Sequence, residues 1–294
     1  MDLLIKLLKN VVKILLIAGV FSFPAYSKKS NKPPVSQNAI LATNYIVQDL
    51  DTGEIITEKN SLEIRSIASI TKLMTAVVVL DSHQDLSEVL LFKKPKGMHS
   101  RLPDGALLTR SELLLLSLMS SDNVAAKLLA QNYAGGEEAA ISAMNAKAAS
   151  LGMLNTHFTD PTGLLNDNVS TAQDLSKLIN YAYNSPIIRE YSTKSRERIE
   201  VPGRKKSKFF DFHTTNSLVV KDPNIGLSKT GWIRSAGGCL VMIVKHQGHR
   251  LAVILLNSRN THTRIRDGVL LTEYNNGRHN RNFGQFYTTG PSFK

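Results

Sequence analysis

Three short motifs in this chain of 294 residues combine residue types that could catalyse acyl transfer. They are Ser-Ile-Thr-Lys at residues 69–72, Ser-Asp-Asn at 121–123 and Lys-Thr-Gly at 229–231. The patterns S-x-x-K and K-T-G each occur once, whereas S-x-N occurs three times. Each motif alone is a weak signal, because a serine three residues before a lysine is usually a solvated pair. All three in this order, 52 and 108 residues apart (121 − 69 and 229 − 121), indicate a catalytic set.

Ser69 and Lys72 have the spacing of a nucleophile and its base. An i, i+3 spacing at the start of a helix places both side chains on one face, within hydrogen-bonding reach. The helix N-terminus adds positive potential where an oxyanion would form. A lysine accepts the serine proton only when neutral, and its ordinary pKa of about 10.4 leaves it charged at pH 7. Burial by the apolar run after Lys72, and a nearby cation such as Lys229, would lower that pKa.

The predicted elements place strands near both ends of the chain and helices between them. Residues 44–50 and 54–58 predict one hairpin, and residues 240–245 and 251–256 predict another with a Gln-Gly turn. Capping signals and apolar spacing predict helices over residues 69–80, 109–119, 124–133, 171–183 and 263–274, with Gly135-Gly136 and Pro186 as stop signals. A sheet shared by the terminal segments, with a helical middle packed on it, gives an α+β fold.

The two ends of the chain differ in composition from its middle. Residues 1–27 have the layout of a secretory signal peptide, with three lysines, an apolar run over 14–23 and Ala-Tyr-Ser at 25–27. An uncleaved membrane anchor is the alternative. Residues 28–38 predict an extended linker, residues 39–275 a single catalytic domain, and residues 276–294 a polar, disordered tail. The expected location is therefore the periplasm, after export.

The net charge of +12, from 36 Lys and Arg against 24 Asp and Glu, predicts a partner of opposite sign. Because the protein is expected to be exported, nucleic acid is not the expected partner. The remaining candidate is weak contact with an anionic membrane or glycan surface. One cysteine excludes a disulfide framework within the chain and a four-cysteine zinc site. His246 and His249 lie on a predicted turn with no carboxylate or third ligand apparent, and H-E-x-x-H is absent. We therefore expect no metal and no cofactor.

The motif set resembles that of the serine DD-peptidases of the low-molecular-mass penicillin-binding protein family. The resemblance extends over residues 65–75, the Asp-Pro-Thr-Gly-Leu turn at 160–164 and Ser-Lys-Thr-Gly-Trp at 228–232. Within the family the chain most resembles the D-alanyl-D-alanine endopeptidase type. The predicted core ends near residue 275, without the extra β-rich domain and C-terminal anchor of many carboxypeptidases. The implied fold is that of β-lactamases and DD-peptidases.

The resemblance implies a role for each catalytic residue. Ser69 would attack the D-alanyl carbonyl and form an acyl-enzyme, with Lys72 as its base. Ser121 would relay a proton to the leaving amine. Asn123 would orient Lys72 and the substrate peptide.

It also implies a substrate-binding strand and an oxyanion hole. Lys229 and Thr230 would hold the carboxylate side of the substrate, and Gly231 would let the substrate backbone approach the strand. The backbone N–H groups of Ser69 and Trp232 would bind the oxyanion. One of Arg259, Arg264 and Arg266 could hold a substrate carboxylate, and the sequence does not say which.

The expected function is cleavage of D-alanyl bonds in peptidoglycan stem peptides, as an endopeptidase on D-alanyl-diaminopimelate cross-links. A DD-carboxypeptidase that trims terminal D-Ala from pentapeptides is one alternative. A non-catalytic envelope protein that binds β-lactams or the cell wall is another. The endopeptidase and the carboxypeptidase would share one active site. They differ in the leaving group that this site accepts.

β-Lactams should acylate Ser69 and remain attached. A class A β-lactamase needs a deacylating glutamate in an E-x-x-L-N loop, and the corresponding segment here, residues 162–166, begins with threonine. Mass spectrometry after penicillin treatment should show a lasting adduct. An adduct lost within seconds would instead identify a β-lactamase.

Overall fold

The computed structural model describes residues 39–203 and 206–275. The predicted signal peptide (1–27), linker (28–38) and tail (276–294) lie outside the described residues. Two residues of the basic cluster at 204–208, Arg204 and Lys205, also lie outside them. Among the described residues, no helix is both long enough and apolar enough to cross a membrane.

A five-stranded antiparallel sheet joins the two ends of the described chain. Its strands are β1 (Asn44–Asp49), β2 (Ile55–Lys59), β9 (Ile225–Ile233), β10 (Gly237–His246) and β11 (His249–Ser258). Their order is β2-β1-β11-β10-β9, and β1 pairs with β11 from Asn44 opposite Leu256 to Asp49 opposite Leu251. This arrangement confirms the predicted sheet. It also leaves β9, which carries the Lys-Thr-Gly motif, at one edge.

Helices cover both faces of the sheet, so its central strands are apolar on both sides. The C-terminal helix α8 (Thr261–Asn275) packs on the face that carries Val253 and Leu255, and the helical middle of the chain packs on the face that carries Ala252 and Ile254. The tight turn between β10 and β11 uses Gln247 and Gly248, both with positive φ (49° and 89°). Such values suit the two-residue turns that match strand twist, as the Gln-Gly signal predicts.

The described part of the middle of the chain forms seven helices and three small antiparallel pairs of strands. A 3₁₀ turn at Ala68–Ile70 leads into α1 (Thr71–Asp81), and all of α1 from Thr71 to Val79 is buried. The other helices are α2 (Arg110–Met119), α3 (Asn123–Gln131), α4 (Gly136–Ser150), α5 (Ala172–Ala182), α6 (Pro186–Thr193) and α7 (Leu218–Lys221). The paired strands are β3 (Arg65–Ser66) with β6 (Val169–Ser170), β4 (Val89–Phe92) with β5 (Ala106–Thr109), and β7 (Arg196–Val201) with β8 (Lys208–His213).

Two of the predicted stop signals also start helices. Gly135, in the left-handed conformation at φ 87°, is the N-terminal cap of α4, which the sequence analysis did not predict. Only Ala140, Met144 and Ala148 of that helix are buried, so its apolar pattern is sparse. Pro186 occupies the first turn of α6, where its missing N–H removes no helical hydrogen bond. The predicted capping box of α2, between Thr109 and Glu112, is confirmed.

Candidate active site

The structure brings the three motifs together where α1 begins, where α2 turns into α3, and along β9. Lys72 Nζ lies 2.9 Å from Ser69 Oγ and 2.7 Å from Asn123 Oδ1. Lys229 Nζ lies 2.8 Å from Ser121 Oγ. Ser69 is half-buried, whereas its neighbours in the 3₁₀ turn, Ala68 and Ile70, are buried. The predicted nucleophile and base are therefore hydrogen-bonded to each other, and the predicted proton relay forms a second pair with Lys229.

The buried Lys72 amine has three partners, the third being the Thr162 backbone oxygen at 2.5 Å. A neutral amine has two N–H donors and one lone pair. Asn123 Oδ1 and Thr162 O accept only, so they occupy both donors of the neutral amine. The lone pair is then directed at Ser69 Oγ, which can donate its proton.

Burial lowers the pKa of Lys72 to about 7, although the carboxylates of Asp160 and Asp122 oppose that shift. Burial also lowers the pKa of Lys229 well below its ordinary value, and repulsion from Lys72 and Arg264 adds to that effect. From the sequence, Lys229 is predicted to help lower the pKa of Lys72. In the structure, burial lowers the pKa of Lys72, whereas the repulsion between the two lysines lowers the pKa of Lys229.

Two non-glycine residues of the site have left-handed backbone conformations. Ala68, directly before the nucleophile, has φ 47°, and Ser121 has φ 60°. Such conformations cost on the order of 1–3 kcal/mol and persist only where the surroundings enforce them. At Ser121 the turn is held by Asp122, whose carboxylate caps α3 through the Ala125 N–H (2.9 Å).

Gly231 has a structural role that the sequence does not predict. A Cβ at this position would lie 3.0 Å from Ser69 N and from Ile67 O. The glycine therefore lets β9 pack directly against the backbone of the nucleophile turn. Its role in the approach of the substrate backbone stays a prediction. This contact places the β9 backbone beside the Ser69 amide. The pairing of the Ser69 and Trp232 N–H groups as an oxyanion hole stays a prediction, and the Trp232 side chain is 56% exposed.

The Asp160 turn supports the nucleophile from the other side. The Asp160 carboxylate accepts hydrogen bonds from the N–H groups of Thr162 (2.6 Å), Gly163 (2.9 Å) and Leu165 (3.1 Å). These bonds direct Thr162 O at Lys72. Gly163 has φ 78°, and a Cβ there would lie 1.9 Å from Ala68 O. In the sequence this segment stands out only through the family resemblance, and no local pattern predicts its contact with the nucleophile turn.

Of the three candidate arginines, Arg264 is the one that reaches the site. It is buried, and its Nη1 donates to Gly231 O at 3.0 Å. Arg266 donates to Ala39 O, and Arg259 is exposed after β11. Thr230 Oγ1 lies 2.6 Å from Thr215 Oγ1, another contact that the sequence analysis did not include.

The histidines of the β10–β11 turn are not part of this site. His249 does have carboxylate neighbours, contrary to the sequence analysis, because β1 lies beside β11. Its Nδ1 is 2.8 Å from Asp49 Oδ2, and Asp51 lies close by. Asp51 in turn pairs with Arg250 at 2.7 Å. Asp49 and Asp51 are thus both paired with side chains and with backbone N–H groups.

The rate of acylation by penicillin should rise with pH through about 7. Lys72 is the proposed base, so its protonated form below the pKa of about 7 is inactive and its neutral form above it is active. The measurement is the acylation rate from about pH 5 to about pH 9. Lys72→Arg should lose acylation throughout, because a guanidinium stays protonated. A wild-type rate that does not change with pH would contradict this assignment.

Gly163→Ala should slow acylation roughly a hundredfold, because its Cβ would displace the peptide before Ser69. Gly53→Ala is the matched control: Gly53 has φ 80°, but nothing lies within 4 Å of its Cβ position. Both variants carry the conformational cost of about 1–2 kcal/mol. Thermal melting should show that cost in both, and only Gly163→Ala should react slowly. Equal acylation rates would show that the contact with Ala68 does not position Ser69.

Comparison with known proteins agrees with the motifs and the geometry. The D-alanyl-D-alanine endopeptidase of Escherichia coli (strain K12) is 40% identical over 263 residues, which cover 87% of this chain and 84% of that protein. The solved Streptomyces K15 DD-transpeptidase matches with a TM-score of 0.75 at 26% identity, over 83% of this chain and 98% of that one. The cefotaxime-bound penicillin-binding protein D2 of Listeria monocytogenes matches with a TM-score of 0.70 at 25% identity, over 83% and 99%.

These similarities confirm the predicted α+β fold of DD-peptidases. The sequence model of one family, described as D-alanyl-D-alanine carboxypeptidase, matches residues 29–260. That match includes all three motifs. The chain therefore belongs to the D-alanyl-D-alanine carboxypeptidase family, the serine DD-peptidases that its motifs resemble.

Proposed function

We propose that this protein cleaves D-alanyl peptide bonds in peptidoglycan stem peptides through an acyl-enzyme. The observation that carries the proposal is the network from Ser69 Oγ through the Lys72 amine to Asn123, with Lys229 and Ser121 beside it. Family membership supports the same reaction. The chemistry requires no cofactor, because side chains supply the nucleophile, the base and the proton relay.

Acylation begins when neutral Lys72 accepts the Ser69 proton as Oγ attacks the D-alanyl carbonyl. The carbonyl electrons move to oxygen, where the N–H groups of Ser69 and Trp232 are proposed to stabilise the oxyanion. Collapse of the tetrahedral intermediate breaks the C–N bond, and the leaving amine takes a proton from Ser121. Ser121 recovers a proton through Lys229, whose Nζ lies 2.8 Å away. Lys229 in turn recovers the proton that Lys72 took from Ser69, so Lys72 is neutral again.

Deacylation repeats these steps with water as the nucleophile. Neutral Lys72 accepts a proton from water as the water oxygen attacks the ester carbonyl. The C–Oγ bond then breaks, and the Lys72 ammonium returns that proton to Ser69 Oγ. The site lacks a carboxylate at position 162, where the segment that resembles the deacylating loop has threonine. This supports slow release of β-lactams, which act as covalent inhibitors.

The substrate is proposed to bind as an extended strand beside β9. An edge strand offers backbone groups that can pair with an incoming peptide. Lys229 and Thr230 would hold the carboxylate on the leaving-group side. Arg264 is proposed to position these groups without contacting the substrate, because its hydrogen bond to Gly231 O holds the strand that carries them.

The favoured activity is that of an endopeptidase on D-alanyl-diaminopimelate cross-links. Its support is the 40% identity to the E. coli protein of that name. Carboxypeptidase activity on pentapeptides is the second candidate, supported by the description of the family model. Export to the periplasm is also proposed, on the signal-peptide pattern of residues 1–27. Contact with an anionic membrane or glycan surface stays a prediction.

Purified protein should convert cross-linked muropeptide dimers into monomers, and Ser69→Ala should not. Chromatography of the products, with free D-Ala measured in parallel on pentapeptide monomers, separates the candidates. Release of D-Ala without cleavage of dimers would identify a carboxypeptidase. If Ser69→Ala kept the full physiological activity, only a binding role would remain.

A further inference from the structure

A cavity of about 580 Å³ opens beside the site, on the side of Ser121. Ser121 and Asn123 form its inner wall, and its outer wall includes His99, Arg101, Phe212 and His213. None of the outer residues has a role in the acylation steps. The three ionisable residues of the outer wall are exposed, so a ligand can reach them.

Hydrogen bonds tie the walls of this cavity together. Ser100 Oγ donates to Asp122 Oδ2 at 2.6 Å, which fixes the segment with His99 and Arg101 to the turn that carries Ser121. Arg101 Nη1 donates to Asp211 O at 2.8 Å, which joins the same segment to β8. The cavity is therefore built from three separate segments held in a defined arrangement around the proton relay.

The reaction geometry indicates what enters this space. The acyl group stays on Ser69, and the leaving amine must reach Ser121 to take its proton. Whatever follows that amine in the leaving group therefore continues past Ser121, into the cavity that Ser121 lines. A single alanine would leave most of the volume empty, whereas ligand sites of about 300–1,000 Å³ hold molecules of the size of a short peptide.

The charges of the wall favour an anionic ligand. Arg101 carries a permanent positive charge, and its five N–H donors exceed the one that Asp211 O accepts. The carboxylate that lines the cavity, Asp122, already accepts bonds from Ser100 and from the Ala125 N–H. His99 and His213 add ring N–H donors. A ligand carboxylate in the cavity could therefore accept hydrogen bonds from Arg101 and the two histidines. Asp122 would repel it little, because that carboxylate already accepts hydrogen bonds from the protein.

We propose that this cavity binds the second stem peptide of a cross-link, with Arg101 pairing to a carboxylate of that peptide. The inference rests on the proposed function, since only a cross-linked substrate has a peptide as its leaving group. The carboxylate next to the leaving amine is the one assigned to Lys229 and Thr230. Arg101 meets a carboxylate further along the stem and so selects dimers over pentapeptides.

The test compares Arg101→Gln with wild type on two substrates, cross-linked muropeptide dimers and pentapeptide monomers. For dimers, kcat/KM should fall roughly tenfold, the loss expected for one charge-assisted hydrogen bond. D-Ala release from pentapeptides should change by less than about twofold. Arg196→Gln is the matched control, because Arg196 is an exposed arginine of the neighbouring strand β7 that does not line the cavity.

A third substrate tests the chemistry of the contact. That substrate is a dimer amidated at the second-stem carboxylates other than the one next to the leaving amine. Wild type should cleave it more slowly than an ordinary dimer, and Arg101→Gln should cleave both at the same rate. If wild type cleaves dimers and Arg101→Gln does so equally well, the inference fails and the endopeptidase proposal stands. The inference about Arg101 also fails if Arg101→Gln lowers kcat/KM equally on dimers and pentapeptides. It fails as well if amidation does not change the rate at which wild type cleaves dimers. If wild type cleaves no dimers, both proposals fail.

Discussion

The rest of the site depends on one buried lysine. Lys72 is enclosed at the start of α1, and its amine is shared among Ser69 Oγ, Asn123 Oδ1 and Thr162 O. Burial lowers its pKa to about 7, against 10.5 for the free side chain, because the protonated amine loses its hydration at this position. Two fixed acceptors consume the N–H groups of the neutral form. The only lone pair of the amine is thereby directed at the nucleophile, which makes it a base.

Backbone packing places the groups around that lysine. The nucleophile turn lies between Gly163 on one side and Gly231 on the other. A Cβ at Gly163 would overlap the Ala68 carbonyl, and a Cβ at Gly231 would make contacts of 3.0 Å with the turn. Each glycine belongs to a segment held by its own partners, the Asp160 carboxylate in one case and Arg264 in the other. Ala68 keeps its left-handed conformation between them. A change in either flanking segment would therefore reach Ser69 through direct contact and not through a long chain of residues.

The sequence was informative where the chemistry is local. The i, i+3 spacing of Ser69 and Lys72 and the capping signal at Thr109 depend on a few neighbouring residues, so their geometry was predictable. The contact of Gly231 with the nucleophile turn and the burial of Arg264 depend on segments far apart in the chain, and no local pattern reports them. Helix α4 was missed because its buried face consists of three widely spaced residues, two of them alanines. The cavity beyond Ser121 likewise exists only once three distant segments have come together.

The most direct measurement is the pKa of Lys72 itself. NMR titration of lysine labelled at Cε, with the signal assigned by its absence in Lys72→Arg, reports the charge of this amine without any substrate. The account predicts a titration near pH 7 for that signal. A Lys72 signal that titrates near 10.5, as a solvated lysine does, would mean that the amine is charged at neutral pH and would contradict its role as the base.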